Sequence, residues 1–258
     1  LAEEMTRAAE YASLVVPTIV IYKKFIEIFE AEALWVPGVS LGDGIAYDYG
    51  EKLKLIKSAH NFENDILVAT RNIAKRYSSG KNHIQGTTKL ALAIFDSMKK
   101  IHGMGSRERL LLQIAVQLHD CGKYISMGDV AECSYSIIMS TEVIGLSTAE
   151  RQIIACAVRY NTTEFAYFGE MNAETGIDRE GYRLVAKLTA ILRLANAMDR
   201  SHYQKVAALK AVVKDRTLVL SIDSTQDFSL ELGLLKDKVE FFEEIFGIRL
   251  RLRRIRKK

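Results

Sequence analysis

The segment Leu110 to Leu118 is intensely apolar at helical spacing and runs straight into His119 and Asp120. A helix this apolar has to be buried, so it carries a histidine and an aspartate side by side toward the interior. Such a pair is costly in apolar surroundings unless its members are hydrogen-bonded or hold a cation. The construction recurs elsewhere. His83 stands near the start of a segment whose apolar face is Leu90, Ala93, Ile94 and Met98, and Asp199 closes the run Leu192-Arg-Leu-Ala-Asn-Ala-Met-Asp199. Each of these polar groups lies at an end of an otherwise buried helix.

The remaining pattern predicts a mainly α fold. With 258 residues, 48% of them apolar, the chain can bury at least one substantial core. Two prolines, sixteen glycines and long periodic apolar runs argue against an all-β protein. Helices are predicted over 3–31, 61–78, 82–101, 106–118, 129–143, 147–161 and 180–200, with Pro17 kinking or restarting the first. Ser147-Thr-Ala-Glu150 has the form of a capping box. Ser106, with Arg109 three residues on, is only a simple N-cap candidate. Gly42-Asp43-Gly44 is predicted as a turn, or as a loop reaching a phosphate. The end of the chain changes period. Ala207 to Val213 and Leu218 to Ile222 read as strands joined at Lys214 to Thr217, followed by a helix over Leu230 to Phe246 and a third strand at Ile248 to Leu252.

Several classes are disfavoured. The most apolar stretch is short and holds Pro17, so it does not supply the roughly 20 residues a bilayer span needs. No signal-peptide pattern is visible. Three cysteines without a CxxC pair point away from a disulfide framework and toward a reducing cytosol. The chain begins with Leu1 rather than Met, which suggests a fragment or processed chain. Net charge is +4, yet seven bases and no acid fall within Arg249 to Lys258. There Arg249, Arg251 and Arg253 alternate with Leu250 and Leu252, which fits either a solvated edge strand or a docking surface for a polyanion. Tyr160, Tyr167 and Phe168 have no accompanying basic stripe, so specific nucleic-acid binding is not expected.

The chemistry therefore concentrates on His83, His119, Asp120 and Asp199. Imidazole nitrogen with carboxylate oxygen suits a divalent metal such as Mn²⁺, Fe²⁺, Ni²⁺ or Zn²⁺, with Mg²⁺ a further candidate. A metal there would polarise a phosphoryl oxygen and acidify a water. A lone His-Asp dipeptide arises by chance in many chains; the weight lies in the ordered set. Asp120 and Lys123 are the candidate catalytic groups, Lys123 following a flexible Gly122 as a point charge for phosphate or simply as a solvated loop lysine. Arg159, Arg193 and Arg200 are phosphate-binding candidates whose alternative is a structural salt bridge. His202 is a candidate support for the ligands. His60 and His102 read as surface residues, and Cys121 as a buried small side chain rather than a nucleophile.

The order His…His-Asp…Asp, with Leu-His-Asp-Cys-Gly-Lys in the middle, resembles the HD superfamily of metal-dependent phosphohydrolases. Closer still, Gly145-Leu-Ser-Thr-Ala-Glu-Arg-Gln-Ile-Ile-Ala155 followed by Val158-Arg-Tyr160, and Leu192 to His202, are similar to the C-terminal region of the exopolyphosphatase / guanosine pentaphosphate phosphatase family. Val36 to Gly44 is similar to the end of that family's actin-like domain. The resemblance implies three parts: residues 1–47 as the last helix, strand and loop of an actin-like domain, 48–202 as an HD-type helical bundle, and 203–258 as a small α+β unit. It also implies that the main phosphate loops and the catalytic carboxylate lie outside this chain. Further histidines would be expected near Asp129 to Ser134 and after Arg159-Tyr160. Glu132, Cys133 and Asn161 stand there instead, which favours one metal over two. Three functions are compatible: the C-terminal part of a polyphosphate or pppGpp phosphatase, a self-sufficient metal phosphohydrolase, or a non-catalytic polyanion-binding or dimerisation module. A homodimer, a polyphosphate or phosphorylated-nucleotide partner and no membrane association are the matching expectations.

Overall fold

The computed structural model describes residues 9–57, 60–224 and 226–255. It divides into two compact units, residues 1–60 and 61–258. The opening turns of the helix predicted from residue 3 and the basic tail beyond Ile255 lie outside the described residues.

The first unit holds helices α1 (Ala9–Ile28) and α2 (Leu41–Lys52). Helix α1 continues through Pro17 rather than restarting there. Helix α2 begins where a glycine-flanked turn was predicted. Ser40 is its N-cap: its hydroxyl accepts from Asp43 N (3.2 Å) while the Asp43 carboxylate accepts from Ser40 N (2.8 Å). That reciprocal cap satisfies two free amides and outweighs the poor helix propensity of Gly42 and Gly44. No strand forms over the apolar run 33–36, because no described segment supplies a ladder partner. No described side chain of this unit is buried, and Trp35 is 87% exposed.

The second unit begins with α3 (Phe62–Arg76), α4 (Lys81–Ser97), the short α5 (Lys99–His102) and α6 (Ser106–Leu118). A 3₁₀ turn at Cys121–Tyr124 leads into α7 (Val130–Ser140), α8 (Thr148–Arg159), α9 (Phe168–Thr175) and α10 (Arg179–Ala197). The chain ends with β1 (Ala208–Lys214), β2 (Thr217–Asp223), α11 (Ser229–Phe246) and β3 (Arg249–Ile255). The result is mainly helical with a small three-stranded sheet.

Helices α6 and α10 are central. Helix α6 packs against α3, α4, α8 and α10, and α10 packs against α4, α6, α8, α9 and α11. Their apolar residues are correspondingly buried: Leu112, Ile114, Ala115 and Val116 on α6, and Leu188, Ile191, Leu192 and Leu194 on α10. Burial of such a side chain contributes about 1.5–3 kcal/mol, which fixes where the two helices run. Their ends are fixed by caps. The Ser147–Glu150 box starts α8 as predicted. Helix α6, by contrast, is capped one residue earlier than Ser106 suggested: Gly105 is the N-cap, and Glu108 at N3 accepts from its backbone N–H (2.6 Å).

In the sheet, β1 and β2 form an antiparallel hairpin, and β3 lies parallel to β2 at the other edge after the α11 crossover. The hairpin turn is Asp215-Arg216, both with positive φ (48° and 53°), the conformation a two-residue turn needs to match strand twist. Leu218, Leu220 and Ile222 point inward, whereas Arg249, Arg251 and Arg253 face outward on an edge strand. Helix α11 packs on α10, and β1 packs on α4. Among the described residues, no helix is long and apolar enough to cross a membrane.

Candidate metal centre

Three helix ends meet in the second unit. His83 comes from the first turn of α4, His119 and Asp120 follow the last turn of α6, and Asp199 follows α10. All four are buried: His83 and Asp199 are 2% exposed, His119 is 3% and Asp120 is 8%.

Hydrogen bonds set the orientation of both imidazoles. His119 Nδ1 lies 2.7 Å from Val116 O, and a carbonyl only accepts, so Nδ1 carries the hydrogen. Burial pushes the His119 pKa down and favours the neutral ring. Its lone pair is then on Nε2. His83 Nδ1 lies 2.7 Å from Asp199 Oδ2. Burial opposes ionisation of Asp199, but hydrogen bonds from His83 and from the Gln204 side chain and backbone outweigh it, and its carboxyl sits below the ordinary value. Asp199 is thus a carboxylate acceptor, and His83 Nδ1 donates to it. In the neutral ring this puts the second lone pair on His83 Nε2.

The two Nε2 atoms face each other at 3.1 Å. Two lone pairs in that position repel unless a metal ion or a shared proton lies between them. Metal–nitrogen bonds of about 2.0–2.1 Å at angles between right and tetrahedral place two donors roughly 2.8–3.4 Å apart, which brackets the observed separation. Asp120 completes the group. Its Oδ1 is 3.5 Å from His119 Nε2 and its Oδ2 is 3.9 Å from His83 Nε2. One ligand atom from each of His83, His119 and Asp120 lies within 4.8 Å of the others. Burial again works against the Asp120 charge, while His119 and Lys123 hold the carboxyl below its usual range.

Asp199, expected as a fourth ligand, lies against Nδ1 of His83, on the far side of the ring from His119. Its Oδ1 accepts from Gln204 N (2.7 Å), so the carboxylate is anchored on both sides. A carboxylate on the far nitrogen fixes the ring and raises its basicity as a ligand. His202, a candidate support for the ligands, lies beyond the helix. Helix α10 ends at Ala197, and His202 has φ +60° and stacks on the His83 ring at 3.7 Å with an interplanar angle of 4°. No periodicity signals that contact, because it arises in a turn.

Gly122 is pinned rather than flexible. A Cβ there would lie 2.3 Å from Val130 O and 2.5 Å from Ser134 N, so only glycine lets α7 approach this closely. Its N–H donates to Ser134 Oγ (2.9 Å). The 3₁₀ turn brings Lys123 back onto Asp120 Oδ2, so the lysine is neither free nor merely solvated. Cys121 is buried, and burial pushes its thiol up to about 11, in keeping with a packing role.

A cavity of about 500 Å³ opens beside the centre, lined among others by His119, Asp120, Lys123, Asp129, Arg200 and His202. Two predicted phosphate ligands are outside that lining. Arg159 pairs with Glu132 and with Glu174 and lies over the Tyr135 ring. Arg193 is buried, donates to Tyr160 O (2.8 Å) and Thr163 O (2.6 Å), and covers the Phe241 ring. Burial lowers its pKa to about 10. It ties α10 to the end of α8 and to α11. Where further histidines were expected, Glu132 is held by Arg159, and Asn161 is buried with its Oδ1 unpaired. His102, read from sequence as a surface residue, is in the core: Nε2–H donates to Phe95 O (2.9 Å) and Nδ1 accepts from Met104 N (2.8 Å).

A search among curated proteins finds no match. Residues 68–240 match the sequence profile of a family described as Ppx/GppA phosphatase, domain III. That span covers α4, α6, α8 and α10 with all four predicted ligands, and is well over half of the chain. The chain belongs to the Ppx/GppA phosphatase family.

Proposed function

We propose that this chain is the metal- and phosphate-holding C-terminal part of a phosphatase that cleaves phosphoanhydride bonds in polyphosphate or pppGpp. The observation that carries the reading is the opposed pair of Nε2 atoms, 3.1 Å apart, with Asp120 beside them at the wall of a polar cavity. His83, His119 and Asp120 would hold one divalent cation, with Asp199 and the stacked His202 keeping His83 in place. Such an ion supplies Lewis-acid polarisation of a phosphoryl oxygen. The protein's own groups do the rest. Arg200 and Lys123 offer positive charge to phosphate oxygens entering the cavity, Lys123 while still tied to Asp120. The stacked rings and apolar helix ends keep bulk water from the inner side of the pair.

The role fits a single ion better than two, since Glu132 is engaged by Arg159 and His202, the other histidine at the cavity, is stacked on the His83 ring. Two unpaired thiols buried in the core, Cys121 and Cys156, suit a reducing compartment such as the cytosol.

The test is metal analysis of the purified chain together with tripolyphosphate binding. About one equivalent of Mn²⁺, Ni²⁺ or Zn²⁺ should bind, and His119→Ala and Asp120→Ala should lower metal affinity at least tenfold. Tripolyphosphate affinity should then depend on the metal. A chain that takes up no divalent metal at micromolar concentration would sink the reading. Metal-dependent turnover of polyphosphate by the isolated chain would instead make it a self-sufficient phosphohydrolase.

A further inference from the structure

Helices α3, α4 and α6 enclose a second cavity, of about 670 Å³, whose lining includes none of His83, His119, Asp120 or Asp199. Its walls are regular helix faces: Arg71, Ala74, Lys75 and Ser78 follow i, i+3, i+4, i+7 along and just beyond α3, and Lys81, Ile84, Gln85 and Thr88 do the same on α4. Four cations, Arg71, Lys75, Lys81 and Lys89, line it and no carboxylate does. None of the four is in an ion pair with a described acid. Four positive charges thus stand around the cavity with no described acid paired to them.

The inner wall is polar and unpaired. Gln117, contributed by α6, is 4% exposed, yet its Oε1 has no hydrogen-bond partner, and the same holds for Ser79 Oγ and Thr88 Oγ1. A buried acceptor without a donor costs about 1–3 kcal/mol, so a ligand that donates to Gln117 Oε1 would relieve that cost. Inorganic phosphate near neutral pH presents mostly acceptors and only one or two P–OH donors. A carboxamide presents a donor and an acceptor side by side, the complement of the edge of a nucleobase. The volume lies within the range of ligand pockets, about 300–1,000 Å³.

We propose that this cavity binds a nucleoside phosphate, with its phosphates among Arg71, Lys75, Lys81 and Lys89 and its base edge on the buried Gln117 carboxamide. The site is independent of the metal centre.

Calorimetric titration of the full chain in EDTA tests it, using ATP and GTP, the matching nucleosides, and tripolyphosphate. At least one nucleotide should bind saturably and at least tenfold more tightly than tripolyphosphate. Lys75→Gln with Lys81→Gln should weaken the nucleotide about tenfold or more. Gln117→Leu should bring the nucleotide down to the level of tripolyphosphate and leave tripolyphosphate unchanged. Should that variant not fold, Thr88→Val reads the same inner wall. Because the titration is run in EDTA, which withholds divalent metal, a failure of the metal reading does not touch this one. Equal binding of tripolyphosphate and nucleotides would make the cavity a site for inorganic phosphate chains and overturn the proposal. So would the absence of saturable nucleotide binding by the folded chain.

Discussion

Helix α4 faces two polar settings. On the side of His83 and Thr87 it meets His119, Asp120 and Asp199, and both His83 and Asp199 have hydrogen-bond partners within the protein. On the side of Lys81, Ile84, Gln85 and Thr88 it borders a cavity with cations that no described acid pairs and polar atoms without a hydrogen-bond partner. Both sides place polar groups out of water, so burial alone does not separate them. Pairing does. The His83 side is closed on itself apart from one gap between two lone pairs, a gap of the size a metal ion fills. The other side is open in several places at once, with spacings suited to a larger, charged molecule. A mutation on the first side strands a neighbour, whereas one on the second strands nothing.

The sharpest way to break this contrast is Asp199→Ala. It leaves the buried His83 Nδ1–H and the Gln204 amide without their acceptor. Loss of charge-assisted bonds at a 2% exposed site should cost on the order of 3 kcal/mol, read as a fall in the urea midpoint at unchanged slope. Asp199→Asn keeps an acceptor and should recover much of that. A variant as stable as the parent would mean that the His83 side is not held by its own pairs.

How much of this was legible in the sequence follows the same division. The helix-closing positions of His119, Asp120 and Asp199 were readable because an apolar 3.6-residue period makes an ionisable terminus conspicuous. The hairpin and the Ser147 cap were readable because their chemistry is local. The roles were not. Nothing in the spacing says that Asp199 meets Nδ1 of His83 while Asp120 lies near the two Nε2 atoms, since that depends on where α10 ends. His102 looked like a surface residue because its partners, Phe95 O and Met104 N, are backbone groups, which a sequence does not display. The cavity around Gln117 was invisible for a related reason: it is made by three helices whose separate faces are unremarkable. In the first unit, helical spacing of apolar residues does not bring burial with it. Phe25, Ile28 and Phe29 fall at helical spacing there, yet all three are exposed. Period identifies an apolar face but not what covers it.

Between the two extremes lies a pair that is partnered but half in water. Arg107 Nε and Nη2 donate to the two Glu150 oxygens, at 2.5 and 2.9 Å, and bind the start of α6 to the start of α8. The Arg107 hydrogen bonds, against the effect of burial and with help from Ser147, take the Glu150 pKa from its ordinary 4.5 to about 2. Because the folded value is below the unfolded one, the stabilisation is complete above the ordinary glutamate range and is lost as pH falls from about 4.5 toward 2. Solvent screening limits it, and Glu150→Gln should cost about 1 kcal/mol at neutral pH. Urea midpoints of parent and variant should converge as the pH is lowered through that window. A gap that stays constant with pH would assign the loss to packing instead.

The smallest effect is expected at the open side. Lys75→Gln and Lys81→Gln each remove a charge that no described acid balances, so no partner is left unsatisfied. Each should change stability by no more than about 0.5 kcal/mol, in the stabilising direction, because like charges around the cavity repel. The gain should shrink between low salt and about 1 M, where the screening length falls to roughly 3 Å. The same variants should weaken nucleotide binding at least tenfold together, a combination that a structural lysine does not give. If either substitution instead lowers the urea midpoint at every salt concentration, the lysines hold the fold through their stems, and the two sides of α4 differ less than their pairing implies.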